Sequence, residues 1–342
     1  MRSGLMVMSE AEPAAVKKYL LSRQILPEIV DWKYFDPSFN RLQERGVVLV
    51  KDNQVAGFLG LIPFRLEKDQ VRADCAWSCD WSVDPGQAGM GLMLVKRARE
   101  LYDGIFNLGG NENTRRLFPR LADRTVPNAG VSFVLPLRLG SIFARLPKGR
   151  LRDLLNQQTL QQIPLRWVRG LNKTAITIDS GFSPRVSSLL DAARQEDWRA
   201  LYDSEFLQWQ FRRCPAITCW SCGISSESPL RTAALIWRSR SSTKFWRFVI
   251  CGETHDLEKM KRLIGAIVSF VYSQGCVALF AIASHKENDF VTLLRRQGFL
   301  RYGNLPFYAM RGRCAELPID EFSALSFLDA DLAYRFEHDD AS

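Results

Sequence analysis

The segment from Val83 to Leu94 carries the residues best suited to hold a charged ligand. It reads Val-Asp-Pro-Gly-Gln-Ala-Gly-Met-Gly-Leu-Met-Leu, so an apolar strand is followed by a proline turn, glycines and the start of a helix. Glycines let the backbone approach a ligand closely, and the first turn of a helix presents unpaired N–H groups at the positive end of its dipole. The segment therefore predicts an anion site, with a pyrophosphate as the natural ligand.

Two common phosphate loops do not fit this segment. It lacks the Gly-Lys-Ser/Thr ending of a nucleoside-triphosphatase loop, which excludes that class. The dinucleotide fingerprint requires a third glycine where Leu94 stands, after Gly89 and Gly91. The loop also follows a third predicted strand instead of opening the domain, which argues against a dinucleotide-binding domain.

Two carboxylates near the loop are candidate general bases. Asp80 lies in the strand before the loop, and Glu112 follows the next predicted strand, Gly104 to Leu108. A carboxyl group that faces a desolvated cleft holds its proton more tightly and becomes a useful base. We expect both to serve in catalysis; the alternative for each is a structural or surface carboxylate.

Apolar periodicity and turn residues predict the elements that position these groups. Ser9 and Glu12 have the spacing of a capping box, so a first helix is predicted from about Glu10. The third strand is expected to place Trp77, Cys79 and Trp81 on one face. The first-half elements are a hairpin of Val47–Val50 and Val55–Pro63, a strand Cys75–Val83, a helix from Gly91 to Tyr102, a strand Gly104–Leu108 and a helix from Asn111 to Leu121.

The second half repeats this pattern. Trp32-Lys33-Tyr34 and its following proline resemble Trp209-Gln210-Phe211 and Pro215, which suggests two copies of one α/β unit. The predicted elements are strands Thr232–Arg238 and Phe245–Cys251, a helix Asp256–Tyr272, a strand Val277–Ala283, a helix Asn288–Gln297 and a strand Phe307–Met310. The expected division is a first domain over 1–137, a basic connector over 138–173, a second domain over 174–314 and an acidic tail over 315–342.

Composition excludes several classes of protein. Hydrophobic residues make up 46% of the 342 residues, which excludes a mainly disordered chain, and eight cysteines do not indicate a disulfide scaffold. The uncharged stretch Leu263–Ser284 is long enough to cross a bilayer, but Ser273-Gln274-Gly275 divides it into a predicted helix and a buried strand. Cys214, Cys219 and Cys222 lack a fourth ligand at zinc-site spacing, so no metal is expected.

The loop and its surroundings resemble the GNAT acyltransferase superfamily. Val83-x-Pro85 and Gly89-x-Gly91 match its central signature, although Gly86 stands where Arg or Gln is usual. The hairpin around Asp52-Asn53-Gln54 resembles the family's second and third strands. Asn111 to Ala122 resembles its Asn-x(6)-Tyr helix, with Phe118 where many members have a tyrosine that protonates the leaving thiolate. The motif of Trp32 resembles a subgroup found among bacterial polysaccharide genes.

The resemblance implies a fold, a substrate and a set of binding residues. The fold is α/β, with two tandem GNAT-like domains that each have a mixed, mostly antiparallel sheet flanked by helices. Acetyl-CoA or another acyl-CoA is the expected substrate, and the first half alone keeps the loop that binds it. The residues expected to bind it are Val83, Gln87, Ala88, Gly89, Met90, Gly91, Leu92 and Asn111.

The expected function is transfer of an acyl group to an amine, with an amino sugar or polysaccharide precursor as the acceptor suggested by the subgroup. Two alternatives remain open: a Fem-like aminoacyltransferase that uses aminoacyl-tRNA, and a non-catalytic tandem-GNAT binding scaffold. The net charge of +9 favours anionic partners and allows a peripheral contact with an anionic membrane. No nucleic-acid-binding motif is visible, which disfavours nucleic acid as a partner, and a cytoplasmic location is expected.

Overall fold

A computed structural model describes most of the chain. The described residues are 4–39, 43–68, 71–87, 89–138, 176–181, 183, 186, 199–201, 204–224, 230–252, 256–284 and 287–319. Ala88, most of the basic connector and the acidic tail from residue 320 lie outside them.

The described chain forms thirteen strands and seven α-helices. The strands are β1 Gly4–Val7, β2 Gly46–Lys51, β3 Gln54–Lys68, β4 Val71–Val83, β5 Gly104–Leu108, β6 Arg124–Pro136, β7 Ile176–Ser180, β8 Arg199–Leu201, β9 Ile217–Ile224, β10 Thr232–Ser239, β11 Phe245–Gly252, β12 Ala278–Ser284 and β13 Leu300–Arg311. The helices are α1 Pro13–Ser22, α2 Pro27–Val30, α3 Met90–Leu101, α4 Glu112–Leu121, α5 Ser204–Leu207, α6 Leu257–Ser273 and α7 Asn288–Arg296. Two π-helical turns lie at Asp31–Phe35 and Gln208–Arg213.

The chain divides into two compact units that are not consecutive stretches of sequence. The first contains residues 1–130, 194–215 and 304–333, and the second contains 131–193, 216–303 and 334–342. This grouping differs from the linear division expected from the sequence, because the chain returns to the first unit at its end. There, Phe307–Arg311 of β13 pairs antiparallel with Gly104–Leu108.

In the first unit the strand order is β1-β2-β3-β4-β5-β13, and β8 pairs with β3. The predicted hairpin is confirmed as β2 and β3. Its two turn residues, Asp52 and Asn53, both have positive φ, the conformation that a two-residue hairpin turn requires. Helix α1 packs on one face of this sheet through Val16 and Leu20, whereas α3 and α4 cover the other face.

The capping box predicted at Ser9 is wrong. The backbone N–H and hydroxyl of Ser9 both donate to the carboxylate of Glu44, and Glu12 precedes α1 without a side-chain cap. Helix α1 begins at Pro13 instead, because proline tolerates the first helical position, where its missing N–H would have no partner.

The second unit has the strand order β6-β12-β11-β10-β9-β7. Helix α6 connects β11 to the parallel strand β12, as α3 connects β4 to the parallel strand β5 in the first unit. Each unit thus contains two antiparallel strands, a helix, a parallel strand and a second helix. The apolar face of α6 packs against β6 and β10–β12 through residues such as Ile264, Ile267 and Phe133.

The predicted helix and strand in Leu263–Ser284 are confirmed as the end of α6 and as β12. Across the part of the chain that the structure describes, no helix is long and apolar enough to cross a membrane.

Candidate functional site

A β-bulge in β4 lies next to the predicted anion loop. Phe58 of β3 pairs with Ser82, but Gly60 pairs with Cys79, so Asp80 and Trp81 together oppose one residue of β3. Asp80 has a φ of 46°, a left-handed conformation that is uncommon for a residue other than glycine. Such bulges redirect side chains and end regular pairing, often beside active sites.

The bulge overturns one sequence prediction, that Trp77, Cys79 and Trp81 share a face. The Cys79 thiol lies 3.6 Å from the Tyr34 hydroxyl. Trp81 instead contacts Phe118 of α4 on the face covered by α3 and α4. One inserted residue shifts the alternation and turns Trp81 to that face.

Asp80 is held by two residues of the first π-helical turn, Asp31–Phe35. The Lys33 Nζ lies 2.6 Å from the Asp80 Oδ2, and the Tyr34 hydroxyl donates to the same oxygen. The Lys33 side chain is 1% exposed and that of Asp80 13% exposed, so this is a nearly buried ion pair. Sequence reasoning selected Asp80 but gave no role to Lys33 or Tyr34.

Strands β4 and β5 pair over three residues only, in the middle of β4 and at the beginning of β5. Their parallel backbone register runs from Cys75–Gly104 to Trp77–Phe106. Beyond it, the Asn107 Nδ2 donates to the Ser78 backbone oxygen and hydroxyl, both at 3.1 Å. We call the following region, Ser78–Val83 of β4 and Asn107–Leu108 of β5, the β4–β5 opening.

Two buried polar atoms border this opening without a partner. They are the Trp81 Nε1 and the Asn107 Oδ1, which make no hydrogen bond with any described residue. A buried N–H or C=O without a partner costs free energy, so unpaired groups in a native fold call for an explanation. One is a donor and the other an acceptor, which is the complement of an amide group.

The loop after β4 folds as a tight turn before α3. The Gln87 N–H donates to the Asp84 carbonyl at 3.0 Å, and Gly86 supplies the φ of 85° that this turn requires. Helix α3 begins at Met90 after Gly89, with no side-chain cap and no acidic residue in its first turn. Ala88 lies outside the described residues.

Gly91 fits closely against the β4 bulge. A Cβ atom at Gly91 would lie 3.3 Å from the Trp81 ring, whereas a Cβ at Gly89 would meet no atom within 4 Å. Leu92 is exposed, and Val83 ends β4 at the mouth of the opening. The described residues among those predicted to bind in this segment, Val83, Gln87 and Gly89–Leu92, thus lie between the end of β4 and the first turn of α3.

The predicted residues at the start of α4 have separate surroundings. The Asn111 Oδ1 accepts a hydrogen bond from the Thr114 N–H at 3.0 Å, so Asn111 caps α4. Glu112 is exposed in the first turn and makes no hydrogen bond or ion pair with the described residues. The structure does not bring Glu112 into contact with Asp80.

Phe118 is buried beneath α4. Its ring centroid lies 5.4 Å from that of Trp81 and 5.5 Å from that of Tyr308 in β13. Sequence reasoning did not select Trp81, Asn107 or Tyr308 for the site. Asn107 is a polar residue within the otherwise apolar strand Gly104–Leu108, and this was the sequence feature that could have identified it.

The second unit differs at the corresponding helix. The Asp256 Oδ1 accepts a hydrogen bond from the Lys259 N–H at 3.0 Å and caps α6, and Glu258 lies in its first turn. A carboxylate therefore occupies the position that an anion would need. Among the described residues, no three His, Cys, Asp or Glu side chains converge as a metal site would require.

Comparison with known proteins finds likeness in structure only. No family model matches the chain, and no curated protein matches its sequence. A tandem GNAT protein from the clavulanic acid biosynthesis pathway matches with a TM-score of 0.53 and 11% identity, over 90% of this chain and 98% of that one.

Two further solved structures agree. N-myristoyltransferase of Saccharomyces cerevisiae with bound myristoyl-CoA and inhibitors gives a TM-score of 0.55 at 12% identity, over 92% of this chain and 81% of that one. A GCN5-related N-acetyltransferase from Anabaena variabilis gives a TM-score of 0.55 at 11% identity, over 89% of this chain and 72% of that one. The expected mixed α/β architecture is confirmed: this chain has the fold of the GNAT and N-myristoyltransferase structures.

Proposed function

We propose that this protein is an N-acyltransferase that uses acyl-CoA, with its donor site at the β4–β5 opening. The observation that carries the proposal is the pair of buried, unpaired atoms, the Trp81 Nε1 and the Asn107 Oδ1, on two strands that have separated. The pantetheine arm of acyl-CoA contains amide groups. Each amide offers an oxygen to Trp81 and an N–H to Asn107, so binding would satisfy both.

The start of α3 supports a pyrophosphate site next to this opening. Helix α3 lacks the side-chain cap and the first-turn carboxylate that α4 and α6 have. The Met90 N–H donates to the Gln87 carbonyl at 2.8 Å, so the anion would be bound by the N–H groups that follow it in the first turn. Asp84 is the acid nearest this loop in sequence, and it forms an ion pair with Arg23. The proposed contacts are those of Val83, Gln87, Ala88, Gly89, Met90, Gly91 and Leu92, with Asn111 at the start of α4.

Asp80 is the proposed general base. The acceptor amine must lose a proton as its nitrogen attacks the thioester carbon, and the C–S bond then breaks. Asp80 lies at the bulge, and Lys33 and Tyr34 fix the orientation of its carboxylate. Glu112, exposed at the start of α4, is the second candidate for this proton.

The proposed acceptor is an amino sugar or another polysaccharide precursor. This choice follows from the likeness of Trp32-Lys33-Tyr34 to the polysaccharide subgroup. The length of the acyl chain has to be determined by experiment, because one structural neighbour holds myristoyl-CoA whereas another is named an acetyltransferase.

Calorimetric titration with CoA, acetyl-CoA and myristoyl-CoA tests the donor site. We expect binding of at least one acyl-CoA, and weaker binding by Trp81→Phe, which keeps an aromatic ring but removes the indole N–H and part of the ring volume. Release of free CoA in the presence of glucosamine or spermidine then tests transfer. Absence of acyl-CoA binding would favour the scaffold, and salt-sensitive binding of tRNA in its place would favour the aminoacyl-tRNA alternative.

A further inference from the structure

The proposed reaction has no proton donor at the position where the resemblance leads one to expect it. The leaving thiolate needs a proton, and Phe118 replaces the tyrosine found there in many GNAT enzymes. A phenyl ring cannot supply a proton. A residue that replaces this tyrosine as proton donor is therefore expected among those that contact Phe118.

Tyr308 of β13 lies beside Phe118. Its ring centroid is 5.5 Å from that of Phe118, with an angle of 50° between the ring planes. It stands directly opposite Asn107 in the antiparallel pairing of β13 with β5. Because opposite residues in a sheet point to the same side, Tyr308 shares the face of the Asn107 side chain, one strand from the β4–β5 opening.

The hydroxyl of Tyr308 does not take part in the hydrogen bonds that hold the described fold together. Other hydroxyls of buried tyrosines are used: Tyr102 donates to the Glu44 carbonyl, and Tyr34 donates to Asp80. Tyr19 accepts from Arg23 at 3.0 Å. Within the described ranges, the Tyr308 hydroxyl makes no hydrogen bond; the residue as a whole is 3% exposed, but its hydroxyl oxygen is not fully buried.

The surroundings of Tyr308 keep it protonated. Burial raises the pKa of its hydroxyl, and the nearby positive charge of Arg115 only partly offsets that effect. Like a tyrosine with an ordinary pKa, the residue is a neutral phenol at physiological pH and has a proton to donate. A general acid must be protonated before the step in which it acts.

We propose that Tyr308 is the general acid that protonates the leaving thiolate, in place of the missing tyrosine at position 118. As the acceptor nitrogen forms its bond to the acyl carbon, the C–S bond breaks and its electron pair remains on sulfur. Tyr308 transfers its hydroxyl proton to that sulfur, which leaves as the free thiol of CoA, and the phenolate regains a proton from solvent. This inference rests on the proposed function.

Tyr34 is the obvious competitor, and its surroundings exclude it. Its hydroxyl already donates to Asp80, beside the Cys79 thiol. Its ring packs edge to face on Phe58, in the cluster that contains α1. Asp80 shares this face with Tyr34, whereas Tyr308 and Asn107 lie on the other face, beneath α3 and α4, so the proposed base and acid act from opposite sides of the β4–β5 opening.

Tyr308→Phe tests the inference because it removes one oxygen atom and keeps the ring. We expect kcat for acetyl-CoA to fall about 100-fold, the low end of what a general acid contributes. The dissociation constant for acetyl-CoA, measured by calorimetry, should stay the same. The rate would be followed as CoA release with the best acceptor among glucosamine, spermidine and lysine amide. Tyr302→Phe on the same strand, where the side chain is exposed, is the matched control and should have no effect.

Phe118→Tyr added to Tyr308→Phe supplies the second measurement. A hydroxyl restored at the family's position should recover most of the lost kcat, a result that a purely structural role of Tyr308 would not give. An unchanged kcat in Tyr308→Phe, or an equal loss of acetyl-CoA binding, would overturn the inference and leave the proposed function standing. A wild-type protein that binds no acyl-CoA, or binds it without transfer to any of these amines, would overturn both.

Discussion

The indole rings of Trp32 and Trp209 stack with their centroids 4.4 Å apart, and each residue donates a hydrogen bond to the other. The Trp32 Nε1 donates to the Trp209 carbonyl at 2.9 Å, and the Trp209 Nε1 donates to the Trp32 carbonyl at 3.2 Å. Each lies in one of the two π-helical turns, and each is the landmark residue of one half of the sequence. The two matching motifs therefore meet each other within the first compact unit.

Trp209→Ala should lower the free energy of unfolding by about 3–5 kcal/mol, as expected for removal of a buried aromatic side chain. Trp209 also stacks on Phe39, with centroids 4.2 Å apart, and contacts the ring of Phe206 at 5.6 Å, so the truncation removes three ring contacts. Trp209→Phe should cost less, because it keeps one aromatic ring and loses only part of the buried indole together with one hydrogen bond, worth about 1 kcal/mol. Urea denaturation of both variants measures the difference, and equal losses would show that stacking contributes little.

The local elements of this fold could be predicted from sequence, but their long-range arrangement could not. The predicted strand Gly104–Leu108 is found with the same limits, and Asn111 caps the helix predicted after it, because apolar periodicity and capping are local signals. The pairing of Phe307–Arg311 with β5 joins residues about 200 positions apart. No local sequence pattern predicts such a pairing.

The same limit applies to the site. The glycine loop is visible because turn chemistry is local. The bulge at Asp80 could not be predicted from the sequence, because a regular alternation of Trp77, Cys79 and Trp81 also fits an unbroken strand. The unpaired atoms of Trp81 and Asn107 depend on where β4 and β5 separate, a property of the assembled sheet.

Asp80→Asn should destabilise the protein by about 3–5 kcal/mol, because it removes the carboxylate that pairs with the buried Lys33. The double variant Lys33→Met with Asp80→Asn should be more stable than Asp80→Asn alone, since it removes the buried charge. Asp84→Asn is the matched control: the side chains of its ion pair with Arg23 are 42% and 32% exposed, so it should cost at most about 1 kcal/mol. Unfolding free energies that are additive for Lys33→Met and Asp80→Asn would contradict this coupling.

Asp36 should make stability depend on pH in the acidic range. Burial by itself raises the pKa of Asp36, but hydrogen bonds from the Ser38 hydroxyl and N–H and the charges of Arg213 and Arg45 outweigh it, so the pKa lies below its usual value. A carboxyl group with a lowered folded pKa stabilises the fold above its unfolded pKa of about 3.9, and that contribution disappears as the pH falls through the folded value.

Asp36→Asn should therefore be less stable than the wild type at pH 7, and the difference should shrink as the pH falls below about 4. Thermal unfolding from pH 7 to pH 3 measures it. Asp31→Asn, which removes an exposed ion pair with Lys17, serves as the control and should show a much smaller difference. A constant difference between Asp36→Asn and the wild type would contradict the linkage.

Gly89→Ala should separate the stability of the glycine loop from its proposed function. Gly89 has helical dihedral angles, φ −64° and ψ −27°, and a Cβ there meets no atom within 4 Å. Alanine is therefore compatible with the fold and should raise the free energy of unfolding by about 0.4–1 kcal/mol, since it restricts the unfolded chain.

If a pyrophosphate binds against this backbone, the same methyl group occupies space that the ligand needs, so acetyl-CoA should bind at least about tenfold more weakly, a loss of about 1.4 kcal/mol. Gly303→Ala, whose Cβ also meets no atom, is the control and should leave binding unchanged. Acetyl-CoA binding that is equally tight in Gly89→Ala would place the anion elsewhere than at the start of α3.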